Sequence, residues 1–146
     1  MQFLPPNKVF KDFYPLVLND GGRNFSKRPL QFNDCTVRAL AIIANIPYDL
    51  AYDTLAKAGR KSCDGFDLGK WIKVRKGKFL GKTFRQDLQI QKAGYIITPF
   101  NFGNLFPKGR YLLETHNHIW VVIDGIHYDL WRAKQHICLN RIWRYK

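Results

Sequence analysis

The sequence predicts one α+β domain in which helices come first and a sheet follows. Two observations carry this expectation. In the first half, Val37, Leu40, Ala41 and Ala44 fall at i, i+3, i+4 and i+7, the spacing of a helix with one apolar face. In the second half, β-branched and aromatic segments flank Asp124-Gly125, a two-residue hairpin signal. No repeat or linker divides the 146 residues, and that length suits a single core. With 46% hydrophobic and 15% aromatic residues, the chain has ample material to bury, which excludes a disordered tail.

Residues 1–34 show little periodicity and are punctuated by prolines and glycines. They read as an N-terminal arm with a short strand or two lying over the domain. Residues 35–44 form the first helix. Asn33 and Asp34 ahead of it are good N-cap types, and Asn45 ends it. Pro47 opens a second helix over about 47–58, which is expected to bury Leu50, Ala51, Leu55 and Ala58 before Gly59 stops it. A short helix near 66–74 is broken around Gly77 and Gly81. Strands are expected at about 93–98, 110–123, 126–131 and 137–144.

Net charge is +13 and the pI about 9.9, a balance that favours polyanionic partners. The surplus is concentrated in Lys70, Lys73, Arg75, Lys76, Lys78, Lys82 and Arg85, a stretch with no acidic residue. Trp71, Phe79 and Phe84 interleave with them, which suits phosphate pairing with base stacking. A solvated face whose aromatics point into the core fits the same pattern, and both readings stay open here. Three widely spaced cysteines without a CxxC argue against a disulfide framework and for a reducing compartment. The first residues lack a signal-peptide core, and no run approaches the ~18 apolar residues of a membrane span. The expected setting is a host cytoplasm or a virion, with no membrane partner.

Cys35 begins the first helix, where about half a positive charge and several free N–H groups favour a thiolate over a thiol. Such a nucleophile needs a base and a group to orient that base. On a strand over 110–123, His116 and His118 share one face. The turn at Asp124-Gly125 then brings Asp129 roughly opposite Trp120, one diagonal step from His118. Cysteine, then histidine, then a carboxylate on the next strand is an order that supports nucleophilic catalysis. Cys63 and Cys138 read as structural.

Several segments read together resemble a family of small papain-like cysteine peptidases of phages and mobile elements. They are NDCTVRALAIIANIPYDLAYDTLAKAGR at 33–60, DGGR at 20–23, GRYLLETHNHIWVVIDGIHYDLW at 109–131 and ICLNRIW at 137–143. The resemblance implies a papain-like fold over residues 1–146, with N-terminal helices carrying the cysteine packed on a C-terminal antiparallel sheet. It implies Cys35 as nucleophile, His118 as base and Asp129 as orienting acid. His116 falls where the family varies. A glutamine a few residues before the cysteine usually supplies the oxyanion donor. Here Gln31 and Asn33 are the nearest amides, and Pro29 stands six residues before Cys35.

The expected activity is a thiol hydrolase acting on a protein or peptide, with no cofactor and no metal. A second reading keeps the scaffold without turnover, as a basic or virion-associated protein that contacts nucleic acid, a phage structural protein or a host protein. A zinc site built from His116, His118, His127 and a cysteine has ligand spacing only in its HxH pair. The tripeptide 116–118 spells HNH, but it lacks the ββα-metal surroundings of nucleases that bear that name.

Overall fold

Seven strands form one sheet in the computed structural model, which describes residues 14–86, 96–133 and 137–146. The elements in chain order are β1 (Leu16–Leu18), a 3-10 turn (Arg23–Phe25), α1 (Cys35–Ala44), α2 (Tyr48–Lys57) and α3 (Leu68–Val74). The hairpin β2 (Lys78–Phe79) and β3 (Lys82–Gln86) and the helix α4 (Pro99–Leu105) come next. The chain closes with β4 (Arg110–Glu114), β5 (Ile119–Ile123), β6 (Ile126–Asp129) and β7 (Arg141–Tyr145). The sheet order is β1-β6-β5-β4-β7-β3-β2. The fold class is α+β.

Both faces of the sheet are covered, so its central strands read as apolar runs instead of alternating. On one face, Leu112, Ile119, Val121, Trp143 and Tyr145 meet α1, α2 and α3. On the other, Tyr111, Leu113, Trp120, Val122 and Ile142 meet Phe102 of α4. Helix α1 is buried almost all round, which explains why CTVRALAIIA carries so few polar residues. Asn45 ends it at a left-handed φ of 54°. Asp124 and Gly125 both have positive φ, as the two-residue hairpin turn requires.

Several expectations are corrected. The strand expected over 110–123 is two strands joined by residues 115–118, where Thr115 N–H closes on the His118 carbonyl at 2.9 Å. His116 and His118 are therefore turn residues and do not share one strand face. Residues 96–98 of the expected 93–98 strand are not strand, and they lead into α4; residues 93–95 lie outside the described residues. Thr98 and Asn101 form a reciprocal cap with Pro99 at the first helical position, a helix-start signal the strand reading passed over. The last strand begins at Arg141, not 137. Leu50 and Ala58 are exposed; Tyr48 takes the buried place on α2 alongside Ala51 and Leu55. The sheet is not wholly antiparallel, because β1 pairs with β6 in parallel. That pairing draws part of the N-terminal arm into the sheet, while residues 1–13 lie outside the described residues.

The turn around Gly77 depends on a close backbone approach. Its φ is +78°, and a Cβ there would fall 2.3 Å from the Phe84 carbonyl oxygen. Gly81 has the same φ but open space around it. Gly81→Ala should cost about 1–2 kcal/mol of left-handed strain. Gly77→Ala should cost clearly more in urea denaturation, because the β2–β3 backbone must also move. Equal losses would show that the close approach carries no weight.

Candidate active site

Asp34 holds the N-cap position of α1 but does not cap it. Its carboxylate accepts from Arg23 Nη1 at 3.0 and 3.2 Å, from Arg38 Nε at 3.1 Å and from the Tyr48 hydroxyl at 2.8 Å. A buried carboxylate gains more from two guanidinium groups than from a backbone amide. Burial and the Asp34 carboxylate together push the Tyr48 hydroxyl pKa up, so it stays a donor. The N–H groups of Cys35, Thr36 and Val37 find no partner among the described residues. The first turn of α1 thus keeps free donors beside the Cys35 thiol.

Residues 20–23 are shaped to deliver Arg23 to this place. The Asp20 carboxylate accepts from Gly22 N–H at 2.8 Å and from Asn24 N–H at 2.9 Å, folding the turn. Gly21 has φ +71° and lies so close to α1 that a Cβ would sit 3.0 Å from the Arg38 Cα. Only glycine fits that approach without displacing the helix.

From Asp34 the charges continue inward. Arg38 Nη1 donates to Asp129 Oδ1 at 3.0 Å, and the Leu130 N–H reaches the same oxygen at 2.8 Å. Asp129 Oδ2 lies 2.7 Å from His118 Nε2. The register of β5 and β6 makes this contact, since the ladder ends at Val121 with Tyr128 and Asp129 follows it directly, on the side of the 115–118 turn. Arg23, Asp34, Arg38, Asp129 and His118 form a row of groups of alternating sign that ends beside Cys35.

His118 is sandwiched between Trp131, with ring centroids 4.7 Å apart, and Trp120, at 5.6 Å. Burial disfavours its protonated form, but the hydrogen bonds and charges of Asp129 and Cys35 outweigh that and raise its pKa to about 9. With Nε2 committed to Asp129, the ring's interaction with Cys35 falls to Nδ1. Both residues line a cleft of about 290 Å³ with Phe66 on one wall and the Glu114–Arg141 pair on another. A larger hollow of about 750 Å³ beside Tyr14, Phe100 and Arg132 contains neither cysteine nor His118.

Cys35, His118 and Asp129 are therefore brought together, whereas Gln31 and Asn33 are not at the cleft. The Gln31 amide donates to the Ser62 hydroxyl at 2.7 Å, and the Asn33 amide to the Cys63 carbonyl at 3.3 Å. Both tie down the loop after α2. His116 is exposed at the cleft rim. His127 is fully buried, accepts from Trp120 Nε1 at 2.9 Å, and burial with the nearby Arg132 pushes its pKa down to about 3. Among the described residues, no three His, Cys, Asp or Glu side chains are grouped to hold a metal ion. The thiols of Cys63 and Cys138 are free, like that of Cys35. The roles of Arg23, Arg38 and Trp131 were not foreseen from the sequence, although Asp34 and Arg38 four apart at a helix start were a signal. No family model matches the chain, and no curated protein or solved structure matches it either.

Because the folded His118 pKa lies above its ordinary 6.5, the fold favours the imidazolium. That contribution to stability is fully present below about pH 6.5 and is lost as pH rises through about 9. Asp129→Asn should lower the His118 pKa by about one unit or more in an NMR titration and flatten this loss of stability. An unchanged titration would show that Asp129 does not hold the ring's proton.

Proposed function

We propose that the protein is a thiol hydrolase on a papain-like scaffold, with Cys35 as nucleophile, His118 as base and Asp129 as the group that orients the base. The observation that carries this reading is the His118 ring, bound at Nε2 by the buried Asp129 and lining the same cleft as Cys35.

The His118 imidazolium already holds the proton that Cys35 has given up, and the thiolate beside it attacks an amide or thioester carbonyl. Negative charge then gathers on the carbonyl oxygen. The uncapped N–H groups at the start of α1 are the donors nearest to it, in place of a glutamine side chain. The His118 imidazolium protonates the departing amine or thiol, leaving an acyl group on Cys35. Water, deprotonated by His118, attacks that thioester and releases the acid and the free thiol. Asp129 holds the ring so that Nδ1 faces the sulfur throughout, and Arg38 holds Asp129. The substrate class favoured by the resemblance to papain-like proteins of phages is a protein or peptide.

Iodoacetamide at neutral pH should modify Cys35 ahead of the more exposed Cys138. His118→Ala should slow the Cys35 reaction by roughly tenfold or more and leave Cys138 unaffected. p-Nitrophenyl acetate should give a burst of nitrophenolate and an acetyl group on Cys35 in the intact-mass spectrum. If Cys138 reacts first and Cys35 gains no acetyl group, the hydrolase reading fails.

A further inference from the structure

Away from the cleft, the structure resolves what the basic stretch presents. Its aromatic residues are buried: Trp71, Phe79 and Phe84 all belong to the core beneath α1 to α3. Its basic residues are all exposed. Lys70 and Lys73 stand on the outer side of α3, and Arg75 and Lys76 on the turn that follows. Lys78, Lys82 and Arg85 stand on the β2–β3 hairpin. Among the described residues, none of the seven is in an ion pair.

The surface is also held in shape. The Arg75 guanidinium lies 4.3 Å over the Trp71 ring and 5.6 Å over Phe79, and its Nε donates to the Lys78 carbonyl at 2.8 Å. Lys82 Nζ lies 5.6 Å over the Tyr145 ring. The hairpin is anchored to the chain end by paired bonds between Thr83 and Lys146, both backbone to backbone, which brings a further exposed lysine to this edge.

We infer that the α3 and β2–β3 face is a docking surface for the phosphate backbone of duplex nucleic acid. Its composition decides between polyanions. Protein interfaces are poor in lysine and anchored by exposed aromatics; this face has five lysines, two arginines and its aromatics buried. Membrane-surface helices bury a continuous apolar face in lipid, but Leu68, Trp71 and Ile72 of α3 are in the core, and the exposed apolar residues here are Val74 and Leu80, each flanked by basic residues in the sequence or across the hairpin. Single strands are held by stacking on exposed rings, which this face lacks. What it offers is an array of exposed cations on a packed helix and hairpin, suited to evenly spaced phosphates read without base preference.

The test is fluorescence anisotropy of a short labelled duplex against salt, with the full chain and two double variants of equal net charge. Lys76→Gln with Lys78→Gln removes two charges from the face. Lys57→Gln with Lys61→Gln removes two exposed charges at the end of α2 and after it. The face variant should bind roughly tenfold more weakly at low salt, with a log–log salt slope shallower by about 1.8. The α2 variant should bind as the natural chain does, and so should Cys35→Ser, which separates this surface from the cleft. Equal weakening in both double variants would reduce the effect to net charge and overturn the proposal. So would a lack of duplex binding, or tighter binding to anionic lipid vesicles or to poly-glutamate at the same ionic strength.

Discussion

A guanidinium buried between two carboxylates has lost water that was worth several kcal/mol to each ion. Arg38 is in that position, 5% exposed, between Asp34 at 1% and Asp129 at 3%. One cation cannot neutralise two buried anions, so each carboxylate holds a second positive partner. Arg23 serves Asp34, and His118 serves Asp129. The alternation makes His118 part of the internal charge balance, and the same contacts hold its pKa near 9. The proton on the ring is thus held from two sides, by the buried row through Asp129 and by Cys35 itself.

This constraint also explains the unusual placement of the N-terminal segment. Strand β1 runs parallel to β6 and ends with Leu18 in register with Asp129. The Asn19 N–H then donates to the Asp129 carbonyl at 2.9 Å. The chain leaves the sheet beside the carboxylate that holds His118. Four residues later it supplies Arg23 to the carboxylate that precedes Cys35. The backbone of Asp129 is fixed by β1, and its side chain by Arg38, so the imidazole has little freedom to swing away from the thiol. Trp131 over one side of the ring limits it further.

What could be read in the sequence was local. The apolar spacing of α1 and the Asp124-Gly125 turn are patterns of a few residues, and the turn fixes the register that sets Asp129 near His118. The missed parts were non-local or chemically silent. Thr115 to His118 lacks glycine and proline, and the one turn-forming residue in it, Asn117, was too weak a signal to divide the apolar runs on each side. Asp34 looks like a cap because capping is a local choice; Arg23 and Arg38 override it only once the chain has folded back on itself. The basic stretch was ambiguous for the same reason. Whether Trp71 and Phe79 face solvent depends on α3 packing in the core, which no local pattern of residues reveals.

The distribution of acidic groups connects the buried row to the basic surface. Among the described residues, Asp34, Asp49, Asp53, Glu114 and Asp129 are in ion pairs with arginine or His118. Asp20, Asp64, Asp67 and Asp124 accept from backbone N–H groups in turns and caps. Every described carboxylate is therefore engaged in holding the fold or the site, and Arg23, Arg28, Arg38 and Arg141 answer five of them. Among the described residues, the seven basic residues of α3, the turn after it and the β2–β3 hairpin are in none of these ion pairs. A chain of net charge +13 must carry that surplus somewhere, and self-repulsion would favour spreading it evenly. Its concentration on one aromatic-backed face opposes that tendency. The duplex docking proposed for this face would offset that cost.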